Sequence, residues 1–165
     1  MMSERRQAAA EAEEHVCELI AEARKEWMLV RPYNRYAALD GMAYSRDTKK
    51  IAAVFEVKCR NMSQAEIANK YEYELMVESH KLQDLQSASK MWGVPSYMYY
   101  YLAKDGVVYE VPITNDRGEK ICQTAPPTTT AAPKTIDGGI AIKTMSKIKL
   151  DGCTYLSTSA TKRTI

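Results

Sequence analysis

The chain has 165 residues, a formal net charge of +2 at pH 7 and a charged fraction of 27%, which is ordinary for a globular protein. This length supports one buried core and is short for two domains, and the mild positive charge permits a nucleic-acid partner without requiring one. Four cysteines without a CxxC pair argue against a disulfide framework and a zinc knuckle. Because no apolar stretch has membrane-spanning length, we expect a soluble, intracellular protein with no membrane partner.

The N-terminal segment, residues 3–27, has the pattern of a single amphipathic helix. Ser3 is a candidate N-cap, and no glycine or proline interrupts the segment before Pro32. At 100° per residue one side collects the apolar residues Ala9, Ala12, Val16, Leu19, Ile20, Ala23 and Trp27. Most glutamates lie on the opposite side, whereas Glu13 lies at the edge of the apolar stripe.

Two strand-like segments follow, at residues 36–44 and 51–59. The polar run 45–50 between them, with sequence SRDTKK, has the composition of a turn. The second segment, IAAVFEVKC, is rich in β-branched and aromatic residues, which favour strands. We therefore predict an antiparallel hairpin.

Residues 63–92 are predicted to be helical. Ser63 and Glu66 form a capping box at the start, and Gly93 is a typical C-terminal stop. A break near Asn69, which would give two shorter helices, is an alternative.

The remaining chain alternates strands with turns. Strands are predicted at 96–103 and 107–113, a Pro/Thr-rich loop at 124–134, and a further short strand at 140–149. We divide the chain into a domain at 1–123, the loop at 124–134, and a C-terminal extension at 135–165 that packs on or trails from the same domain. The element order favours an α/β (α+β) fold with a mixed central sheet.

Asp40 and Glu56 are the residues that suggest chemistry. A turn centred on Thr48 places them opposite each other in the hairpin, with Cβ atoms about 4.5–5.5 Å apart. Two carboxylates placed so closely repel each other unless a divalent cation binds between them, and Mg²⁺ prefers carboxylate oxygens. A register slip of one residue would place them on opposite faces of the sheet.

Lys58 is two residues beyond Glu56 and so projects from the same face of the strand. Two acids that hold a metal ion beside a lysine are suited to hydrolysing a phosphodiester, and the carbonyl of Val57 is a further candidate metal ligand. The alternative is that the Glu-Val-Lys triplet lies on the solvated face of a half-buried strand. Against this, Glu56 follows the apolar run 51–55, and charges at the end of a buried strand need a partner.

Residues 39–41 (LDG) and 54–60 (VFEVKCR) resemble the split signature of PD-(D/E)xK nucleases, in particular phage-encoded nucleases and recombination exonucleases. The resemblance covers roughly residues 10–103. It implies a restriction-endonuclease-like core in the order α-β-β-β-α-β, with a mixed sheet flanked by helices. One departure is Leu39, which stands where the family pattern has proline.

The resemblance also implies two supporting residues. Family members often carry an acid on the first helix in a pattern like E-x-x-hydrophobic, which Glu13 fits as a metal ligand, with Glu18 as the second choice. A lysine or glutamine of the second helix approaches the active site in phage-type relatives, and Lys81 is the best match for this catalytic position. The alternatives are a surface glutamate and a solvated lysine paired with Glu78 or Asp84.

Four further cations are predicted to contact nucleic-acid phosphates. They are Arg46, Lys49 and Lys50 on the hairpin turn, and Arg60 at the end of the second strand. Solvated charges on a turn are the alternative interpretation.

The acid pair and the lysine predict divalent-metal-dependent hydrolysis of phosphodiesters, and the resemblance implies a deoxyribonuclease of phage-type recombination, repair or DNA processing. The expected cofactor is Mg²⁺, with Mn²⁺ as a substitute, and the expected partner is DNA; a homo-oligomer is compatible with the sequence. We expect a cytoplasmic protein, in the host cell if it is phage-encoded. The alternatives are a non-catalytic nucleic-acid-binding subunit with a nuclease-like fold and a structural protein with a chance motif. Exonuclease, endonuclease and junction-resolvase modes stay open.

Overall fold

The computed structural model describes residues 4–33, 37–132, 141–150, 152–156 and 162–164. The helices in this part of the chain are α1 (Glu4–Ala23), α2 (Gln64–Lys70) and α3 (Ser79–Trp92). The strands are β1 (Trp27–Val30), β2 (Gly41–Ser45), β3 (Ile51–Arg60), β4 (Glu74–Glu78), β5 (Ser96–Leu102), β6 (Val107–Thr114), β7 (Thr128–Ala132), β8 (Ala141–Lys149), β9 (Thr154–Leu156) and β10 (Lys162–Thr164). No helix among the described residues is long and apolar enough to cross a membrane.

The main sheet has seven strands in the order β1-β2-β3-β5-β6-β9-β10. The central strands β3 and β5 are parallel, and the other neighbouring pairs are antiparallel. Strands β4, β8 and β7 form a second, antiparallel sheet. The fold is therefore mixed α/β, with a mixed central sheet flanked by helices.

Both faces of the main sheet are covered. On one face α1 packs Val16, Leu19 and Ile20 against strand residues such as Phe55 and Tyr99. On the other face α2, α3 and the second sheet enclose a separate core that includes Ile67, Leu85, Val54, Met98 and Ile148. Strand β3 thus contributes Phe55 and Val57 to the first core, and Glu56 points to the opposite face.

The register predicted for the β2–β3 hairpin is confirmed. Gly41 pairs with Phe55 and Met42 with Val54, so continuing the same register places Asp40 opposite Glu56. A bulge after Ala43 absorbs one residue near the turn. The predicted first strand was too long, because β2 begins at Gly41 and residues 37–40 lie outside it; residue 36 lies outside the described part of the chain.

The predicted first helix also extended too far. Helix α1 ends at Ala23, and Trp27 begins strand β1, which pairs with β2. The connection is held by Arg24, whose guanidinium donates two hydrogen bonds to the buried Glu110 on β6, at 2.5 and 3.2 Å, and lies over the Trp27 ring. The sequence has no glycine or proline at the C-terminal end of α1. The helix ends here because Trp27 pairs with β2 and Arg24 binds Glu110 of β6.

The predicted helix over 63–92 is interrupted by a strand. The capping box at Ser63 and the left-handed Gly93 after α3 are confirmed, but β4 occupies Glu74–Glu78 between the two helices. Glu72 and Tyr73 reach it through positive φ angles of 51° and 58°. Strand β4 forms because Leu75 and Val77 enter the core while its backbone pairs with β8, whose residues come much later in the chain.

The Pro/Thr-rich segment 124–134 was predicted as a loop, and this is wrong for Thr128–Ala132, which form β7. Threonine is β-branched, and the run pairs with β8 along its length. The strand predicted at 140–149 corresponds to β8. Residues 133–140 lie outside the described part of the chain.

Candidate active site

Asp40, Glu56, Lys58 and Lys81 lie together where the loop before β2 meets the C-terminal half of β3 and the first turn of α3. Three separate segments of the chain therefore supply the cluster. The predicted trio of Asp40, Glu56 and Lys58 is brought together, and Lys81 joins it.

Asp40 is fixed to β3 by a backbone hydrogen bond. The amide N–H of Val57 donates to Oδ2 of Asp40 at 2.8 Å. The next residue, Gly41, allows this close approach, because a Cβ at that position would lie 2.3 Å from the ring of Phe55. The sequence predicts the carbonyl of Val57 as a metal ligand. The contact that the structure shows is between the N–H of Val57 and Asp40.

Glu56 is buried at 1% exposure and has two lysines on one oxygen. Lys81 Nζ lies 2.8 Å from Oε1, and Lys58 Nζ lies 3.2 Å from the same atom. Lys81 also donates to the carbonyl of Ala38 at 3.2 Å, which connects α3 to the loop that carries Asp40. The two lysine side chains are mostly buried, at 17–18% exposure.

Burial and the charge of Asp40 raise the pKa of Glu56 above the ordinary glutamate value, against the opposing effect of Lys58 and Lys81. Burial lowers the pKa of Lys81, but its hydrogen bond to Glu56 and the nearby acids outweigh burial and raise that pKa overall. The four groups therefore act on one another electrostatically as a single cluster.

The cluster fits a divalent cation in one specific respect. Oε2 of Glu56 is buried and has no hydrogen-bond partner among the described residues, which is costly for a carboxylate oxygen unless something binds it. Asp40 uses Oδ2 for its backbone bond, and a carboxylate has a second oxygen for a cation. Two carboxylate oxygens, with water and substrate oxygens completing the shell, are a ligand set that suits Mg²⁺.

Glu13 points toward the same region but is held by another residue. Arg31, just after β1, donates to Oε2 of Glu13 at 2.5 Å. Burial and the charge of Asp40 raise the pKa of Glu13, and Arg31 and Lys58 oppose that rise. Within the described residues, no three His, Cys, Asp or Glu side chains are arranged to hold a metal ion. The role of Glu13 as a metal ligand stays a prediction, and its observed partner is Arg31.

The predicted phosphate-contacting cations are divided between two places. Arg46, Lys49 and Lys50 are exposed on the hairpin turn, and Lys50 is six strand residues from Glu56, about 20 Å along β3. Arg60 lies at the site end of β3, where its guanidinium donates to the carbonyls of Cys59 and Met76 at 3.1 and 3.2 Å. The structure does not bring the three turn residues together with the carboxylates.

Two residues of this region were not identified from the sequence as functional. Arg31 neutralises Glu13, and no motif marks it, because its role depends on β1 turning the chain back toward α1. Glu78 at the end of β4 was considered only as a helical partner for Lys81; it pairs with Lys143 of β8 at 2.5 Å instead. Recognising β4 from its alternation of Leu75 and Val77 with polar residues would have placed Glu78 correctly.

No protein-family model and no curated protein matches the chain. Among solved structures the chain is similar to Hjc, a Holliday junction resolvase from the archaeal hyperthermophile Archaeoglobus fulgidus, with 16% identity over 62% of this chain and 72% of that one, at a TM-score of 0.44. A likeness at this level does not decide the activity.

Proposed function

We propose that this chain is a divalent-metal-dependent nuclease that hydrolyses DNA phosphodiester bonds at the cluster of Asp40, Glu56, Lys58 and Lys81. The observation that carries the proposal is Glu56: a buried carboxylate with two lysines on Oε1 and an unpartnered Oε2 beside Asp40. A strand that served only to pack the core would have little reason to bury this group at its centre.

Asp40 and Glu56 would hold the cation, with the Val57 carbonyl as a third protein ligand. A bound Mg²⁺ or Mn²⁺ supplies Lewis acidity toward the phosphate and lowers the pKa of a bound water. The Val57 N–H keeps Asp40 oriented, so the acid does not have to be ordered when substrate binds.

The two lysines would act on the reacting groups. Lys58, at the end of the buried part of β3, can donate to the attacking water or to a non-bridging phosphate oxygen. Lys81 reaches the same carboxylate from α3 and can stabilise negative charge that develops on the phosphate. Glu13 is proposed as an auxiliary acid that becomes a metal ligand only if it leaves Arg31.

The test is cleavage of DNA by the purified protein with Mg²⁺ or Mn²⁺, which EDTA should stop. Asp40→Asn, Glu56→Gln and Lys58→Met should each lower the cleavage rate by about 10²–10⁴-fold, because each removes a group that acts in the transition state. Lys81→Met should lower it by a smaller factor.

The matched control is Asp47→Asn, which removes an exposed carboxylate of the same hairpin about 20 Å or more from Glu56 and should leave the rate unchanged. Unfolding midpoints show whether a variant is folded. Full activity of Asp40→Asn would contradict the assignment, and DNA binding without cleavage of any substrate would favour a binding subunit instead.

The proposed biological role is DNA recombination, repair or processing, and three cleavage modes are compatible with the site. A panel of linear, nicked, circular, single-stranded and four-way-junction DNA, together with an RNA control, separates exonuclease, endonuclease and resolvase activities. Loss of cleavage on circular DNA but not on linear DNA would identify an end-dependent enzyme.

A further inference from the structure

The second sheet presents one face to the core and the opposite face outward. Leu75, Val77 and Ile148 point inward and are at most 2% exposed. Opposed positions of an antiparallel pair share a face, and here Glu74 lies opposite Lys149 and Met76 opposite Lys147. The outer face, which we term the lysine face, consists of Glu74, Met76 and Glu78 from β4 and Lys143, Met145, Lys147 and Lys149 from β8.

Lys143, Lys147 and Lys149 on the same side of β8 give this face its positive charge. Lys147 is 52% exposed and Lys149 is exposed, so both ammonium groups are accessible. Glu78 pairs with Lys143, and Glu74 approaches Lys147 at 3.7 Å, a distance at which a partly exposed pair is weak. Lys149 has no ion-pair partner among the described residues, and the three lysines outnumber the two acids.

The lysine face continues directly from the candidate active site. Arg60, at the end of β3, donates to the carbonyl of Met76 on β4, and Tyr100 donates to the same carbonyl at 3.4 Å. Burial opposes the shift, but the hydrogen bond from Lys143 and, after it, the nearby charge of Lys58 lower the pKa of Glu78 overall. Lys58, Arg60, Lys143 and Lys147 therefore follow one another from the candidate active site to the lysine face, with Glu78 and Glu74 among them.

The far end of the face contains a cavity and an aromatic side chain. A cavity of about 320 Å³ is lined by residues of the α2–β4 turn and of both strands: Lys70, Tyr71, Glu72, Glu74, Met76 and Lys147. Tyr71 is 41% exposed there. An exposed aromatic ring beside lysines is the combination with which proteins hold single-stranded nucleic acid, by stacking bases and neutralising phosphates.

We propose that the lysine face binds the DNA strand that extends from the active site, with Lys147 and Lys149 contacting phosphates and Tyr71 stacking on a base. This rests on the proposed nuclease function, and it gives the C-terminal strands a role in substrate binding. The occupant is a nucleic-acid strand because the face is cationic, is partly aromatic and adjoins the site where the phosphodiester would be cut.

The experiment measures binding of a labelled single-stranded oligonucleotide in EDTA, by fluorescence anisotropy, over a series of salt concentrations. The double variant Lys147→Gln/Lys149→Gln should bind roughly tenfold more weakly at physiological salt, and the slope of log K against log salt should become shallower by about 1.4, or about 0.7 per lost phosphate contact. Tyr71→Ala should weaken binding by about fivefold or more without changing the slope.

Two further variants test the interpretation. Glu74→Gln removes the acid that competes with the oligonucleotide for Lys147, so it should tighten oligonucleotide binding. Loss of a purely structural contact would weaken binding instead. Lys25→Gln/Lys90→Gln removes the same charge from exposed positions at the other end of the main sheet and should leave the slope unchanged. Equal slopes for the two double variants would overturn the proposal.

A small chromogenic phosphodiester, too short to reach the lysine face, separates this inference from the proposed function. Its hydrolysis should be unchanged in Lys147→Gln/Lys149→Gln and lost in Glu56→Gln. Full hydrolysis by Glu56→Gln would refute the catalytic assignment, whereas unchanged oligonucleotide binding by the double lysine variant would refute only the docking surface.

Discussion

Glu56 differs from an ordinary buried acid in that both of its cationic partners contact the same oxygen. A buried ion pair usually satisfies both carboxylate oxygens, because an unpartnered one retains its desolvation cost. Here Oε2 has no partner within the described part of the chain. The asymmetry is more consistent with a ligand position than with a structural ion pair.

Residue 41 has to be a glycine because of the close packing against Phe55. The ring of Phe55 occupies the space that a Cβ would need, and Phe55 is fully buried and cannot move aside easily. Asp40 therefore depends on its neighbour being glycine, because only then can the chain approach β3 closely enough for the bond to Val57.

Gly41→Ala is expected to lower the free energy of unfolding by about 1–3 kcal/mol, the usual cost of overpacking, and to reduce cleavage by displacing Asp40. Urea unfolding and the cleavage rate measure the two effects. In a Phe55→Leu background the added methyl group has room, so the same substitution should cost less. An equal cost in both backgrounds would show that the ring is not the cause.

At the residue scale, the sequence was sufficient for the trio on the hairpin. Asp40, Glu56 and Lys58 follow from one turn position and the two-residue period of a strand. Lys81 was predicted as a site residue only through the family resemblance, because its contact with Glu56 depends on where α3 packs. Arg31 and Glu78 could not be assigned, since their partners are set by β1 and β4.

At the scale of elements, the second sheet is the part that local patterns predicted least well. Strands β4 and β7 both pair with β8, which comes late in the chain. Helix propensity over 63–92 and low complexity over 124–134 were the stronger local signals, and tertiary pairing overrode both. By contrast, β2 and β3 are joined by a short turn, so their register was readable.

The ion pair between Glu78 and Lys143 is expected to stabilise the second sheet in a pH-dependent way. Burial opposes the shift, but the bond from Lys143 lowers the pKa of Glu78 below its ordinary value of 4.5. A lowered carboxyl pKa contributes stability above the unfolded-state pKa, and that stability is lost as the pH falls through the folded-state pKa.

Glu78→Gln should therefore lower the free energy of unfolding by about 0.5–1 kcal/mol near pH 7, the range for partly exposed pairs, and by much less at about pH 3. Urea unfolding at both pH values measures this. Glu72→Gln makes the same chemical change at an exposed position with no ion pair in the described structure, and it should have little effect at either pH. A loss independent of pH would mean that the pair is not the source.

At the scale of the whole molecule, the site forms at one edge of the sheet, where the end of β3 meets α1, the loops around β1 and β2, and the β4–α3 junction. The central parallel pair of β3 and β5 fixes that edge, with α1 on one face and α3 on the other. The order of the main elements was predictable, whereas the placement of the second sheet beside the site was not, because it depends on residues 74–78 and 141–149 meeting.

The sharing of Glu56 by two lysines has a consequence for how the protein would load its cation. Asp40 and Glu56 carry two negative charges, Lys58 and Lys81 carry two positive charges, and Glu13 is compensated by Arg31. Counted at their formal charges, these six groups sum to zero, so the cluster would offer a lone cation little electrostatic attraction. A DNA phosphate would supply the missing negative charge, which would make cation binding and DNA binding mutually reinforcing.

Calorimetric titration with Mn²⁺ should accordingly show tighter binding when an uncleavable DNA analogue is present, by about 5–150-fold. Lys81→Met should tighten Mn²⁺ binding without DNA and weaken its dependence on DNA, while Lys90→Met should change neither. Equal Mn²⁺ affinity with and without DNA would contradict this linkage. With such cooperativity the cluster would bind few cations until a nucleic acid arrives, and metal loading would itself report that a substrate is in place.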